Sequence, residues 1–309
     1  MGIDAYLRRY RQGLRRFATK GKRALQYGAI EKRIYQVFGK RKKDRYRLYR
    51  GAIRIRYQQG MADEFKKGVV RARGLLKPME SAFRAHKVPA IITRLAFVES
   101  MFNPKARSRR GAVGIWQFMP TTAKQYLVVN QFLDERLSPL KAAEAAAKLL
   151  ASNYKQLGSW PLAITAYNQG VNRVKAISSK MRTTNLSRIV RQNHPASMGF
   201  AGRNFYAEFL AAVRVYDRIA DLQKHEWNPL VWVTVRQPLT PIELTSLMPI
   251  DISLLASMNG CLKKKVLDPL STFQLPEAYK LLVPRSLVGS ISKRNQFSRY
   301  IRVDQQVRI

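Results

Sequence analysis

The stretch LAFVESMFNPKARSRRGAVGIWQFMP, residues 95–120, places a single carboxylate within an apolar run. After Glu99 the next acidic residue is Asp134, although several lysines and arginines lie between the two. A lone acid in such a setting requires a structural or a chemical reason.

Residues 89–102, PAIITRLAFVESMF, have the three-and-four spacing of apolar residues that is typical of an amphipathic helix. On such a helix one face carries Ile92, Leu95, Glu99 and Phe102. Two roles fit a carboxyl group on this face. Burial would raise its pKa and keep it protonated near neutral pH, as a catalytic proton donor requires. Alternatively, it pairs with one of the nearby arginines at the rim.

Two short motifs follow this segment. Residues 111–114, GAVG, form a turn of small residues, and glycines let the backbone approach a ligand closely. Just beyond it, Gln117 offers amide hydrogen bonds, whereas Trp116, between apolar neighbours, is predicted to pack in the core. Residues 166–170, AYNQG, end an apolar helix with a phenol and two amides. They suit either carbohydrate binding or a helix end capped by Gly170.

The chain of 309 residues has a formal net charge of +38, from 57 Lys and Arg against 19 Asp and Glu. Such a charge predicts an anionic polymer as partner, whether nucleic acid, anionic lipid or an acidic wall polymer. A solvated surface without a dedicated partner is the alternative. No nucleic-acid-binding motif accompanies the charge.

Several classes of protein are excluded by the sequence. One cysteine, Cys261, cannot form an internal disulfide, and three scattered histidines give no metal-ligand spacing, so neither a metal nor another cofactor is predicted. No stretch has the apolar length of a membrane-spanning helix. The N-terminus has charges but no apolar segment after them, so it does not predict a secretory signal.

The composition divides the chain into three regions. Residues 1–60 form a basic helical arm, residues 61–226 a helical domain, and residues 227–309 a small α+β appendix. Further helices are predicted over 61–83, 118–127, 137–158, 159–177, 204–222, 240–248 and 251–259, and strands over 229–240 and 280–284.

Residues 99–123, together with AYNQG, closely resemble the catalytic domain of the soluble lytic transglycosylase family. The lead-in over residues 53–83 is similar to that of the membrane-bound murein transglycosylase D type within this family. The resemblance covers about residues 50–222. It implies a mainly α, lysozyme-like helical catalytic domain that acts on the glycan strands of peptidoglycan.

The resemblance also implies a role for individual residues. Glu99 would be the single general acid and base, and Tyr167 would orient the catalytic centre. The residues implied to contact the substrate are Ser108, Gln117, Met119, Tyr167, Asn168 and Tyr206. One departure concerns an acidic residue that the family often has shortly before the late tyrosine. Here Gly202 or Arg203 takes that place, and Glu208 lies on a different turn.

The number of acids fits this implied chemistry. Standard glycosidases use two carboxylic acids, but none lies between Glu99 and Asp134 or within AYNQG. The resemblance implies a one-acid route, in which Glu99 protonates the oxygen between MurNAc and GlcNAc and then takes the O6 proton. The product is 1,6-anhydro-MurNAc. Distant acids such as Glu208 or Asp217 supply a second carboxylate if the fold brings them back.

Three interpretations follow. The leading one is a peptidoglycan lytic transglycosylase of the periplasm or cell envelope, whose basic N-terminal region contacts anionic lipid or wall polymer. The others are a hydrolytic, lysozyme-like muramidase and a non-catalytic basic protein that binds the wall or, less favoured, nucleic acid. Residues 227–309 also resemble a degenerate LysM sugar-binding module, through a Leu-x-x-x-Asn core and a terminal Leu-Val-Pro.

Overall fold

The computed structural model describes residues 3–39, 61–192, 195–220, 230–248, 250–287 and 297–304. The chain forms two compact units, Met1–Met61 and Ala62–Ile309. Residues 53–60 of the predicted lead-in lie outside the described residues. The predicted fold class, mainly α with a small α+β appendix, is confirmed.

The first unit contains α1 (Ile3–Lys20), a 3₁₀ segment (Gly21–Tyr27) and α2 (Ala29–Phe38). Its small core is formed by Phe17, Ala24 and Ile34. Glu31 is buried at 4% exposure and accepts a hydrogen bond from Arg16 at 3.1 Å.

The second unit begins with α3 (Ala62–Ala72), α4 (Leu76–Ala85), α5 (Leu95–Ser100), α6 (Pro120–Ala123), α7 (Pro139–Leu157), α8 (Trp160–Gln169), α9 (Val171–Lys180), α10 (Leu186–Gln192) and α11 (Pro195–Ala220). Short 3₁₀ segments span Ala90–Arg94 and Glu135–Leu137. No helix of the described ranges is both long and apolar enough to span a membrane.

Helix α7 forms the centre of this unit and begins and ends as its sequence predicts. Ser138 occupies the N-cap position, Pro139 is the first helical residue, and Gly158 ends the helix with a left-handed φ of 64°. Its buried alanines allow close packing of α4 and α8 on either side.

The prediction of one continuous helix over residues 89–102 was wrong. The segment is a 3₁₀ turn followed by α5, which stops because Met101 and Phe102 adopt left-handed φ values of 52° and 54°. The reversal returns Phe102 to the core, where its ring lies 4.6 Å from that of Phe97. Glu99 is thereby left in the last turn of a short helix.

Four other helix predictions differ from the structure. The helix expected over 61–83 is divided into α3, which ends at Ala72, and α4, which begins at Leu76. The helix expected over 118–127 is the single turn α6, after which Val128 donates its backbone N–H to the Glu135 carboxylate at 2.8 Å. The helix expected over 159–177 is divided into α8 and α9 by Gly170, whose φ is 81°. Helix α11 begins earlier than expected and contains a break at Gly199.

The C-terminal part contains β1 (Leu230–Val235), α12 (Pro241–Leu247), α13 (Ile252–Met258), α14 (Lys264–Leu267), β2 (Lys280–Pro284), a 3₁₀ turn (Arg285–Leu287), α15 (Phe297–Tyr300) and β3 (Ile301–Val303). The strands form an antiparallel sheet in the order β2-β1-β3. The two helices and the strand predicted over 280–284 are confirmed, and the strand predicted over 229–240 is present but ends at Val235; α14, α15 and β3 were not predicted.

Asn259 joins α13 to β2. Its buried amide donates to the Leu255 and Leu282 carbonyls at 2.9 Å each and accepts from the Leu282 N–H at 2.8 Å. The Leu-x-x-x-Asn core therefore contacts the Leu-Val-Pro strand directly. The likeness of this part to a LysM module stays a prediction.

Candidate active site

Glu99 lies in the last turn of α5; the residue as a whole is partly exposed, whereas its carboxyl group is surrounded by protein atoms. Burial raises the pKa of its carboxyl group to about 8, and the nearby Glu208 carboxylate acts in the same direction. Within the described ranges no side chain forms an ion pair or a hydrogen bond with this carboxyl group. At neutral pH Glu99 is therefore mostly protonated and able to donate its proton.

The arginines near Glu99 in the sequence have other environments. The Arg94 guanidinium pairs with Glu80 and lies 4.8 Å from the centre of the Tyr216 ring. Arg107 and Arg109 are exposed on the loop that follows α5. Of the two roles that the sequence left open for Glu99, the described contacts favour the neutral acid.

Tyr167, near the end of α8, lies close to Glu99. Its hydroxyl donates a hydrogen bond to the Trp116 carbonyl at 2.8 Å, and its ring meets the Phe118 ring edge-on at 6.1 Å. Burial, with the Glu99 carboxyl group as a second cause, raises the pKa of the phenol well above its ordinary value. Tyr167 therefore remains a neutral phenol beside the acid.

Side chains from two helices and one loop residue hold the carbonyl groups of the loop over residues 105–119. Ser100, directly after Glu99, donates its hydroxyl to the Ile115 carbonyl at 2.8 Å. Tyr167 holds the next carbonyl, and the Gln117 amide donates to the Gly114 carbonyl at 2.8 Å. The loop backbone is thus fixed against the acid-bearing helix and against α8.

Arg136 holds the same loop from its other side. The guanidinium forms two hydrogen bonds of 2.9 Å with Asp134 and donates to the Gly111 and Phe118 carbonyls at 3.1 and 3.4 Å. Because both charged groups are buried but hydrogen-bonded to each other, the pair is electrostatically satisfied. Asp134 also donates its backbone N–H to the Cys261 carbonyl at 2.9 Å, which links the loop to the C-terminal part.

Gly114 is required where this loop meets Arg136. Its φ is 79°, and a Cβ at this position would lie 2.0 Å from the Arg136 carbonyl oxygen. Any other residue would therefore push the loop away from its support.

The remaining residues predicted to bind substrate lie on or near this assembly. The Ser108 hydroxyl is exposed and accepts the Ala112 N–H at 2.9 Å within its own turn. Met119 is 39% exposed and Asn168 is exposed at the end of α8. Tyr206 is partly buried, with its ring 6.0 Å from that of Phe209. Their substrate contacts stay predictions.

Trp116 is fully buried and stacks on Phe83 at 5.3 Å, as predicted for a core residue. Sequence reasoning did not assign Ser100, Arg136 or Gln169. Ser100 had a signal in its position next to Glu99, and Gln169 had one in its place within AYNQG. The contacts of Arg136, and that of Gln169 with Gly202, depend on tertiary structure. Among the described residues no group of three His, Cys, Asp or Glu side chains is arranged to hold a metal ion.

Parts of the chain are similar in sequence to known proteins. Residues 78–188 match the family model described as the Transglycosylase SLT domain. The membrane-bound lytic murein transglycosylase D of Escherichia coli K12 is 33% identical over 113 residues, which is 36% of this chain and 25% of that protein. The peptidoglycan transglycosylase gp16 of Escherichia phage T7 is 39% identical over 87 residues, which is 27% of this chain and 7% of that protein.

Among solved structures, the 70 kDa soluble lytic transglycosylase of Escherichia coli aligns with a TM-score of 0.36 and 20% identity, over 68% of this chain and 30% of that chain. The match over residues 78–188 confirms the resemblance to SLT-type transglycosylases that the motifs predicted. The chain itself spans about a quarter of the length of the transglycosylase D that it matches.

The raised pKa of Glu99 predicts a pH-dependent cost to folding. Below pH 4.5, the ordinary pKa of a glutamate, Glu99 is protonated in both the folded and the unfolded chain, and the cost is absent. The cost grows as the pH rises from 4.5 to about 8, because over this range Glu99 ionises freely only in the unfolded chain. The free energy of unfolding of Glu99→Gln, relative to that of the wild type, should therefore increase by about 1–3 kcal/mol between pH 4.5 and pH 8. Urea denaturation at several pH values measures this difference.

Glu144→Gln is the matched control. The hydrogen bond from Lys148 lowers the pKa of Glu144, so its carboxylate stabilises the fold at neutral pH and the substitution should act in the opposite direction. A constant difference between Glu99→Gln and the wild type from pH 4.5 to 8 would contradict the raised pKa.

Proposed function

We propose that this protein is a peptidoglycan lytic transglycosylase of the cell envelope. The observation that carries the proposal is the desolvated carboxyl group of Glu99, which has no cationic partner among the described residues and lies within the part of the chain that matches the SLT family model. The names of its relatives, a murein transglycosylase and a phage peptidoglycan transglycosylase, indicate the substrate class.

The proposed reaction uses Glu99 twice. The protonated carboxyl donates to the glycosidic oxygen between MurNAc and GlcNAc, and the C1–O bond breaks. The oxygen of the 2-acetamido group bonds to C1 and compensates the developing positive charge. The Glu99 carboxylate then removes the proton of the O6 hydroxyl while O6 bonds to C1 and displaces the acetamido oxygen. The products are 1,6-anhydro-MurNAc and a free GlcNAc end, and Glu99 is again protonated.

Glu208 distinguishes this route from hydrolysis. The fold brings it near enough to raise the pKa of Glu99, so it is the candidate second acid of a hydrolytic enzyme. In the one-acid route its contribution is electrostatic: its negative charge adds to the effect of burial in raising the pKa of Glu99. The two routes therefore assign Glu208 different effects on the product and on the pH profile.

Glu99→Gln should reduce the release of anhydro-muropeptides from purified sacculi by at least about 1,000-fold, because the amide cannot donate a proton. Mass spectrometry of the soluble products measures this release. Glu144→Gln, on the exposed side of α7, is the control and should retain activity.

Glu208→Gln should still release anhydro products, with the alkaline limb of its pH profile moved to lower pH, because the pKa of Glu99 falls when the neighbouring charge is removed. Products heavier by one water molecule, together with loss of activity in Glu208→Gln, would establish hydrolysis instead. Full activity of Glu99→Gln would end the assignment of the acid.

The basic first unit supports a second part of the proposal, the binding of an anionic wall polymer. Residues 1–60 carry 19 Lys and Arg against three acids. Arg8, Arg11 and Arg15 are exposed on α1, while the apolar side of the helix is used by the core of the unit. Cations on a folded helix concentrate the enzyme on carboxylate- or phosphate-bearing strands.

Replacing Arg8, Arg11 and Arg15 together by Gln should reduce binding to sacculi several-fold at low salt and make the salt dependence less steep. Cosedimentation measures binding, with anionic phospholipid vesicles and duplex DNA as parallel ligands.

The charge-matched control replaces Lys264, Lys265 and Arg285, which are exposed on the C-terminal part. Equal losses in both triple variants would show a net-charge effect without a dedicated surface. A loss confined to vesicles or to DNA would contradict the wall polymer as partner.

A further inference from the structure

Gln169, the last residue of α8, lies directly on Gly202 of α11. A Cβ at position 202 would lie 2.4 Å from Gln169 Cδ and 2.7 Å from its Nε2 and Oε1. Gly202 is buried, so the amide of Gln169 fills the space that a side chain at position 202 would need. The two positions therefore form a matched pair of large and small residues.

A chain of hydrogen bonds fixes the orientation of this amide. The Arg173 guanidinium donates to Gln169 Oε1 at 3.5 Å, and Gln169 Nε2 donates to Asn168 Oδ1 at 2.6 Å. Because a guanidinium can only donate, the oxygen of Gln169 faces Arg173 and its nitrogen faces Asn168. The Asn168 oxygen is therefore the acceptor of the hydrogen bond from Gln169.

The consequence is a defined polarity for Asn168. Its oxygen is engaged, whereas its Nδ2 group has no acceptor within the part of the chain that the structure describes, and the residue is exposed. Asn168 directly follows Tyr167, whose ring lies near Glu99. The two N–H donors of the Asn168 amide are thus available at the end of α8 that lies near Glu99.

We propose that Gln169 is a positioning residue that holds Asn168 with its N–H donors directed outward. In this orientation Asn168 donates a hydrogen bond to an acceptor oxygen of the glycan substrate and disfavours a substrate group that can only donate. The inference rests on the proposed function. The acceptor is the carbonyl oxygen of an acetamido group or a carboxylate of a stem peptide, which share this chemistry. Gly202 provides the space without which the amide of Gln169 cannot take this position.

Gln169→Glu tests the proposal because it keeps the size of the side chain and its contact with Arg173 but removes the N–H donor. Asn168 must then turn its amino group toward position 169 and present its oxygen outward. The KM for soluble glycan strands should rise about 5- to 10-fold with kcat changed less than about 2-fold. Gln192→Glu is the matched control, since Gln192 also accepts from an exposed arginine, Arg188, on α10.

Gly202→Ala is the second variant, because it displaces the amide of Gln169 without adding a charge, and it should raise KM to a similar extent. In an Asn168→Ala background, Gln169→Glu should have no further effect on KM. An unchanged KM in Gln169→Glu, or an undiminished effect in the Asn168→Ala background, would overturn the role of Gln169.

Two comparisons complete the test. The Kd of the same strands for Glu99→Gln protein, with and without Gln169→Glu, reports the positioning of Asn168 independently of catalysis. The expected result is a similar 5- to 10-fold rise, and an unchanged Kd would overturn the proposal even if the wild type cleaves murein. Strands freed of stem peptides identify the acceptor: a retained effect assigns the acetamido oxygen, and a lost effect assigns the peptide carboxylate.

Discussion

One carboxyl group, which is unpaired within the part of the chain that the structure describes, is the constraint on which the rest of this site depends. In a chain with 57 Lys and Arg against 19 acids, an acid near the surface readily acquires a cationic partner. Here Arg94 instead forms an ion pair with Glu80. The charged group that acts on Glu99 is another carboxylate, Glu208, which raises its pKa. Desolvation and this repulsion raise the pKa of Glu99 to about 8, so that at neutral pH the carboxyl group is mostly in the protonated form that the proposed reaction requires.

The polar residues around Glu99 hold the backbone of the neighbouring loop. Successive loop carbonyls are held by Gln117, Ser100 and Tyr167, and Arg136 holds the Phe118 carbonyl. These bonds fix the loop at several points, so the surface next to the acid is set before any ligand binds. The link from Asp134 to the C-terminal part extends this support beyond the SLT-type domain.

The sequence predicted the features that depend on local pattern. The spacing around Glu99 showed its apolar face, and Pro139 and Gly158 marked the ends of α7. It did not predict the end of α5, because Met101 and Phe102 are not residues that favour left-handed backbone and tertiary packing imposes it. Contacts such as that of Gln169 with Gly202 join distant segments, and no local pattern encodes them.

The central claim is tested most directly by the titration of Glu99 itself. The carboxyl ¹³C resonances of Glu-labelled protein, with the Glu99 signal assigned from its loss in Glu99→Gln, report ionisation at this one residue. The account predicts a midpoint near pH 8, which falls when Glu208 is replaced by Gln. A midpoint near 4.5, the ordinary value for a glutamate, would contradict it.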